Sequence, residues 1–162
     1  YEAELALETG KINVGILRIH NVYGPPCELD PDKSQVIPAL CRKAILYPKE
    51  PFIVWGSGNQ RRSFVYIDDI IDALVDVRAR GMNKGVIQIG TDHSDSIADI
   101  AKKIMSISGK DINIQFDIDK PEGDVDRAAD CSKAKQILDW SPKVSIDKGL
   151  EKTYEWCLRE LG

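Results

Sequence analysis

The stretch at 56–66, GSGNQRRSFVY, brings together groups that suit a phosphate-bearing ligand. Gly56 and Gly58 permit a tight turn, and Arg61 and Arg62 follow it. A guanidinium is permanently charged, and its fork of N–H donors can bind two phosphate oxygens at once. Because neighbouring side chains of an extended chain face opposite ways, Arg62 is predicted to bind the ligand and Arg61 to be solvated. The alternative is a pair of surface arginines in a turn.

Asn21 is a second candidate for ligand binding. It follows the apolar run 12–19, which predicts a buried strand. Its amide offers a donor and an acceptor at a strand end, which is where α/β sheets bind ligands. An asparagine selected for a turn is the alternative, since this side chain readily bonds its own backbone.

The composition excludes some classes of partner. The net charge is −4, which argues against a nucleic-acid or anionic membrane surface, since both need a positive field. The sequence contains no run of 18 apolar residues and opens without a secretory leader. Its four cysteines form no C-x-x-C pair, so we predict no metal site, free thiols and a cytoplasmic protein.

The elements that must position these residues alternate between strands and helices, which predicts the α/β class. Apolar runs and period-two alternation predict strands at 12–19, 51–56, 63–67, 85–90 and 112–118. Helical spacing predicts helices from Ser34, from Asp68 to Gly81, from Ser96 to Gly109 and from Leu150, besides a short helical stretch at 1–10. Ser96 and Asp99 are spaced as a capping box.

Several signatures are missing from the sequence. No G-x-G-x-x-G joins a strand to a helix, and no P-loop or complete Ser-His-Asp set is present. The sequence therefore predicts no catalytic residue and no complete cofactor site. The opening residues, YEAELALETG, have no helix start before them, so we expect a fragment of a longer protein.

The run LRIHNVYGP at 17–25 resembles the extended short-chain dehydrogenase/reductases, the NAD-dependent nucleotide-sugar epimerases and dehydratases. Their Arg-x-x-Asn-x-Tyr-Gly-Pro passage is matched by Arg18, Asn21, Tyr23, Gly24 and Pro25. Further matches follow in family order at VIPALCRKAI, at VWGSGNQRRSFVYIDD, at IQIG and at 121–156. The resemblance covers about residues 2 to 158.

This resemblance implies a domain organisation. Residues 1–25 would form the last part of the NAD-binding Rossmann domain, and 26–162 the smaller substrate-binding domain. The glycine-rich NAD loop and the catalytic Ser/Thr, Tyr and Lys would precede this chain, so NAD would be bound mainly outside it. The fragment alone is then expected to be inactive, and the full-length protein is expected to be a homodimer.

The resemblance also assigns binding residues for the nucleotide sugar. Arg62 would bind the diphosphate, Arg127 would make a second phosphate contact, and Asp130 would accept from a ribose hydroxyl, which suits an acceptor-only carboxylate. Asn21 would contact the sugar or the diphosphate. The alternative for Arg127 and Asp130 is an ion pair within the loop, of little energetic value.

The remaining assignments concern the nucleotide base and the cofactor. Trp55 would stack near the base, with Ile53 supplying backbone bonds. The alternative for Trp55 is a core tryptophan. The resemblance places His20 near the nicotinamide, and Tyr23 either lines the cofactor or packs in the core.

The implied function is the substrate-binding part of an NAD-dependent nucleotide-sugar epimerase that oxidises, epimerises and re-reduces its hexose. The His-Asn pair at 20–21 resembles GDP-mannose 3,5-epimerases, and a UDP-glucose 4-epimerase type is also compatible with the motifs. A 4,6-dehydratase, a decarboxylase or a non-catalytic nucleotide-binding regulatory module remains as an alternative.

Overall fold

A computed structural model of the chain describes residues 2–162, so the predicted helical start at Tyr1 lies outside the described residues. The helices are α1 (Glu2–Glu8), α2 (Val36–Leu46), α3 (Ile67–Asp76), which continues into a wider π-helical turn at Val77–Gly81, α4 (Ile97–Ser108), α5 (Ser132–Leu138) and α6 (Ile146–Leu161). The strands are β1 (Ile16–Ile19), β2 (Asn21–Tyr23), β3 (Ile53–Trp55), β4 (Arg61–Arg62), β5 (Phe64–Tyr66), β6 (Val86–Ile89), β7 (Asp95–Ser96), β8 (Gln115–Asp117) and β9 (Asp126–Arg127).

The strands form short, mostly parallel ladders, which confirms the predicted α/β class. β1 pairs with β6, β2 with β5 and β3 with β8, all in parallel. β4 lies between β7, which is antiparallel to it, and β9, which is parallel. Four small sheets therefore support the loops that carry the candidate residues.

Two predicted strands were too long. The strand predicted at 12–19 begins only at Ile16, because its ladder with β6 starts at the pair Ile16 and Val86. The strand predicted at 112–118 is shortened to Gln115–Asp117, the three residues that pair with β3. In both cases the partner strand sets the length, which the apolar pattern alone does not reveal.

One core forms where α2, α4 and α6 pack together with β3 and β5. Its fully buried side chains include Ile37, Phe52, Ile104 and Leu150. The predicted apolar stripe of α2 faces this core with Ile37, Leu40, Cys41 and Ala44. This packing holds β3 and the start of α2 in fixed positions relative to each other.

A second core lies against β1 and β6 and is covered by α3 and α5. It includes Ile87, Ile89, Leu138 and Trp140. Leu17 of β1 packs against this cluster, whose buried members all lie after position 25 in the sequence. The predicted boundary at residue 25 therefore runs through a shared core. The division of the chain into 1–25 and 26–162 stays a prediction.

The predicted cap of α4 is confirmed. The Ser96 hydroxyl accepts a hydrogen bond from the Asp99 amide at 3.0 Å, and the helix ends at Gly109 with a φ of 64°. Such a left-handed residue favours glycine, which has no Cβ to clash. The helix predicted from Asp68 to Gly81 also ends as expected, since Gly81 is the last residue of the π-helical turn that follows α3.

Candidate functional site

A cleft of about 790 Å³ opens between the end of β1, the start of α2 and the strands β3 and β4. This volume lies within the range of roughly 300–1,000 Å³ that is typical of small-molecule sites. Six of the eight predicted site residues line it: His20, Asn21, Tyr23, Ile53, Trp55 and Arg62. Arg127 and Asp130 are not among the lining residues.

The strand ends at β1 and β6 fix one side of the cleft. His20 contacts β6 through its backbone and its side chain: its amide donates to the Ile89 carbonyl at 2.9 Å, and its Nε2 lies 3.0 Å from Gln88 Oε1. The Asn21 side chain donates to the Ser63 carbonyl at 2.9 Å. Both predicted residues are therefore held in fixed orientations at the carboxyl end of parallel strands, where ligands bind in such sheets.

The Arg62 guanidinium is oriented by backbone carbonyls. Its Nη1 donates to the carbonyls of Arg61 and Asp124 at 2.7 and 2.6 Å, and its Nη2 donates to that of Glu122 at 3.1 Å. A guanidinium has five N–H donors, so two N–H groups form no hydrogen bond among residues 2–162. Arg62 can therefore offer two further donors from a fixed position in the cleft.

Arg127 lies beside Arg62 through strand pairing. The two residues are register partners of β4 and β9, and opposed residues of paired strands project to the same face. The Arg127 guanidinium forms an ion pair with the Asp124 carboxylate, and Arg62 bonds the carbonyl of the same aspartate. The two arginines, distant in sequence, thus meet at one residue.

Arg61 was expected to be solvated, and the structure corrects this. As predicted, it faces away from its neighbour, but its Nε donates to the Ser94 hydroxyl at 3.2 Å and its Nη2 donates to the Ser94 carbonyl. It also lies 3.9 Å from Asp126. Arg61 thereby ties β4 to the loop before β7, a contact between positions 33 residues apart that no local pattern encodes.

Trp55 lines the cleft and is not a core residue, since it is 57% exposed. The Lys120 ammonium sits 5.4 Å from the centroid of its ring, a cation–π distance. Next to it, the carbonyl of Ile53 accepts a hydrogen bond from Lys43 Nζ at 2.6 Å. Burial lowers the pKa of Lys43, because desolvation disfavours its charged form.

Tyr23 and Asp130 occupy different surroundings. Tyr23 is 6% exposed, packs edge-on against Phe64 and Tyr66, and donates to the Ile146 carbonyl at 3.4 Å. This is the packing role considered for it from the sequence. Asp130 is exposed and accepts from the Ser132 amide at 3.0 Å at the start of α5. Hydrogen bonding by the Ser132 hydroxyl and amide lowers the pKa of Asp130, because it favours the charged carboxylate.

Sequence reasoning missed three residues of the cleft: Lys43, Gln60 and Glu122. Gln60 is 8% exposed, and its Nε2 donates to the Trp55 carbonyl at 2.9 Å, which closes the glycine turn. Its Oε1 is buried without a hydrogen-bond partner among the described residues. All three residues lie within the family passages quoted above, at 36–45, at 54–69 and at 121–156, and those passages were the only signal for them.

Comparison with known proteins shows the family of the chain. Residues 2–90 match the NAD dependent epimerase/dehydratase family, which is more than half of the chain. The chain belongs to this family. Its α/β architecture and its short parallel ladders are consistent with part of a Rossmann-like fold, as the resemblance implied.

Members of the epimerase/dehydratase family with different activities are similar to the chain. It is 34% identical to GDP-L-fucose synthase 1 of Arabidopsis thaliana over 144 residues, 87% of this chain and 44% of that protein. It is 31% identical to the GDP-mannose 3,5-epimerase of the same plant, over 93% of this chain and 39% of the relative. A UDP-glucose 4-epimerase from Thermotoga maritima, solved with UDP-glucose, superposes with a TM-score of 0.86 at 29% identity, over 98% of this chain and 50% of that one. The chain thus spans about half the length of the relatives it matches, or less.

Within residues 2–162, His, Cys, Asp and Glu form no group of three that could hold a metal ion. None of the helices described there has the length and apolar character needed to cross a membrane.

Proposed function

We propose that the chain is the C-terminal, substrate-binding part of an NAD-dependent nucleotide-sugar epimerase. The observation that carries the proposal is the position of Arg62 in the cleft, beside its register partner Arg127. Two guanidinium groups on one face make a strong site for a diphosphate, because each supplies charged, forked donors. The family of the chain and its similarity to GDP- and UDP-sugar enzymes support this assignment.

The other predicted residues complete this ligand site. The exposed ring of Trp55 offers a stacking surface for the base, with the Ile53 backbone beside it, and Asn21 would contact the sugar or the diphosphate. Arg127 would make the second phosphate contact by exchanging Asp124 for the ligand. Asp130 keeps its proposed ribose contact only if the loop before α5 moves towards the cleft.

Most of the NAD site would lie outside this chain. The Gly56–Ser57–Gly58 turn joins the strands β3 and β4 rather than a strand and a helix, so it does not form the phosphate loop of a dinucleotide fold. His20 and Tyr23 are the residues of this chain proposed to lie nearest the cofactor. NAD would accept and return the hydride of the hexose, and this chain would hold the substrate in position.

The proposed role of the chain in catalysis is to bind parts of the substrate remote from the reacting carbon. Binding energy from the diphosphate and the base can hold the sugar in a reactive orientation against the cofactor. Removing a diphosphate contact should therefore weaken substrate binding while leaving the affinity for NAD intact.

Replacement of Arg62 tests this function directly. In the full-length protein, we expect Arg62→Ala to raise KM for the nucleotide sugar roughly 10- to 100-fold, from the 1.5–3 kcal/mol of a charged hydrogen bond. Steady-state kinetics measures this effect, and the affinity for NAD is measured in parallel. Arg78→Ala, which removes an exposed arginine from the π-helical turn, is the control and should leave KM unchanged. An unchanged KM in Arg62→Ala would refute the assignment.

A reductase that also epimerises its substrate is a second candidate, favoured by the 34% identity to a GDP-L-fucose synthase. The two candidates differ in their redox balance. An epimerase returns the hydride to the substrate, whereas a reductase consumes one reduced nicotinamide cofactor per product. Following the absorbance of the reduced cofactor during turnover separates them.

A further inference from the structure

The segment at residues 120–124, called the strap below, lies across the groups assigned above to the nucleotide. Lys120 stands over the Trp55 ring at 5.4 Å, where a base would stack. The carbonyls of Glu122 and Asp124 accept from Arg62, the proposed diphosphate anchor. One short segment therefore contacts both ends of the proposed nucleotide site.

The Glu122 carboxylate occupies the glycine turn itself. Its Oε1 accepts a hydrogen bond from the Ser57 amide at 2.5 Å. This bond lowers the pKa of Glu122, because it favours the charged form. A Cβ built on Gly56 would lie 2.4 Å from Glu122 Cγ, so only glycine lets the carboxylate come this close. The turn thus presents a backbone donor with an anion already bound to it.

A second carboxylate of the strap covers the second proposed phosphate contact. The Asp124 side chain forms an ion pair with Arg127, the register partner of Arg62. A bound diphosphate would need the Ser57 amide and the two guanidinium groups as donors. The carboxylates of Glu122 and Asp124 would repel it at short range. The strap as seen here and a diphosphate therefore compete for one set of groups.

We propose that the Ser57 amide forms an anion subsite for the phosphate of a nucleoside diphosphate, and that Glu122 fills this subsite until the ligand displaces it. The inference rests on the proposed function, since it assumes a diphosphate at Arg62. It adds a backbone donor to the site and makes the strap an internal competitor of the substrate. A backbone N–H serves any phosphate equally, so the effect should be independent of the base.

Neutralising Glu122 tests the competition. In the full-length protein, Glu122→Gln keeps the shape of the side chain but replaces a charge-assisted bond with a neutral one of roughly half its strength. We expect the Kd values of GDP, UDP and dTDP, measured by isothermal titration calorimetry, to fall by roughly 3- to 10-fold. The Kd of guanosine, which carries no phosphate, should stay the same.

The control variant is Asp119→Asn, which removes the same charge from an exposed residue just before the strap. It should change each Kd by less than about 2-fold, because screening weakens exposed charges that make no direct contact. An unchanged or weaker affinity in Glu122→Gln overturns the subsite, and so does an equal gain in Asp119→Asn. If Arg62→Ala also leaves the affinity for these nucleotides unchanged, the proposed function fails as well.

Hydrogen exchange provides a second measurement that needs no variant. With saturating GDP, the amides of residues 122–125 should stay unprotected, because they donate no hydrogen bond within residues 2–162 and the displaced strap gains none. The Ser57 amide should remain protected, since a phosphate oxygen replaces the carboxylate. Slower exchange of the strap on binding would mean that it closes over the ligand instead, and would overturn the proposal.

Discussion

At the scale of single residues, the paired aspartates at the start of α3 show how one sequence pattern can hide two roles. The sequence assigns both to the positive end of the helix dipole. Asp69 is 2% exposed, and its carboxylate accepts from the amides of Lys143 and Val144 at 3.0 and 3.1 Å. Its carbonyl accepts from the Trp140 indole at 3.0 Å. Asp68 is exposed and lies 3.5 Å from Lys152.

We therefore expect Asp69→Ala to lower the free energy of unfolding by about 2–4 kcal/mol, because two amides would lose a charged acceptor at a buried site. Asp68→Ala is the matched control and should cost less than about 1 kcal/mol, as exposed ion pairs do. Urea denaturation of both variants measures the difference. Equal losses in the two variants would mean that Asp69 does not link α3 to the loop before α6.

At the scale of elements, the ends of a helix can be capped by residues close in the sequence or far from it. Ser96 caps α4 as its spacing indicates. The end of α2, however, is capped from far away: the Lys110 ammonium donates to the carbonyls of Ala44, Ile45 and Tyr47. A cation there satisfies carbonyls that have no partner within the helix and complements the helix dipole. This contact spans more than 60 residues, so periodicity could not reveal it.

The cap of α4 gives a prediction at this scale. Ser96→Ala should destabilise the protein by about 1 kcal/mol, because the Asp99 amide loses its acceptor. Ser106→Ala makes the same chemical change at an exposed position of the same helix and should be neutral or slightly stabilising. Thermal unfolding followed by circular dichroism compares the two. If both variants unfold at the same temperature, the cap contributes nothing.

At the scale of the whole molecule, the question is which part of the family's fold this chain contains. The chain spans 44% of its Arabidopsis relative GDP-L-fucose synthase 1, and it is proposed to hold the substrate-binding part without the catalytic group. The strand β1 pairs only with β6 among the described residues, so its other edge is open to further strands. Such an edge presents backbone donors and acceptors with which a further strand could pair.

We accordingly expect the 162-residue chain alone to show no epimerase or dehydrogenase turnover with NAD and a nucleotide sugar. The reason is that the catalytic group and the dinucleotide loop are both proposed to lie outside it. Chromatographic separation of the sugar products measures the reaction, with the full-length protein as the positive control. Turnover by the purified chain would mean that its own residues include the catalytic group.

The sequence by itself determined the α/β class, the helix stripes, the cap of α4 and the family passages that single out Arg62 and Asn21. These features depend on side-chain period and on residues close in the chain, so local chemistry suffices to predict them. Only the tertiary structure decided that Arg62 and Arg127 share a register, that Asp69 is a buried acceptor and that the strap lies on the glycine turn. Each of these contacts joins positions about 60 or more residues apart, where long-range packing rather than local preference selects the partner.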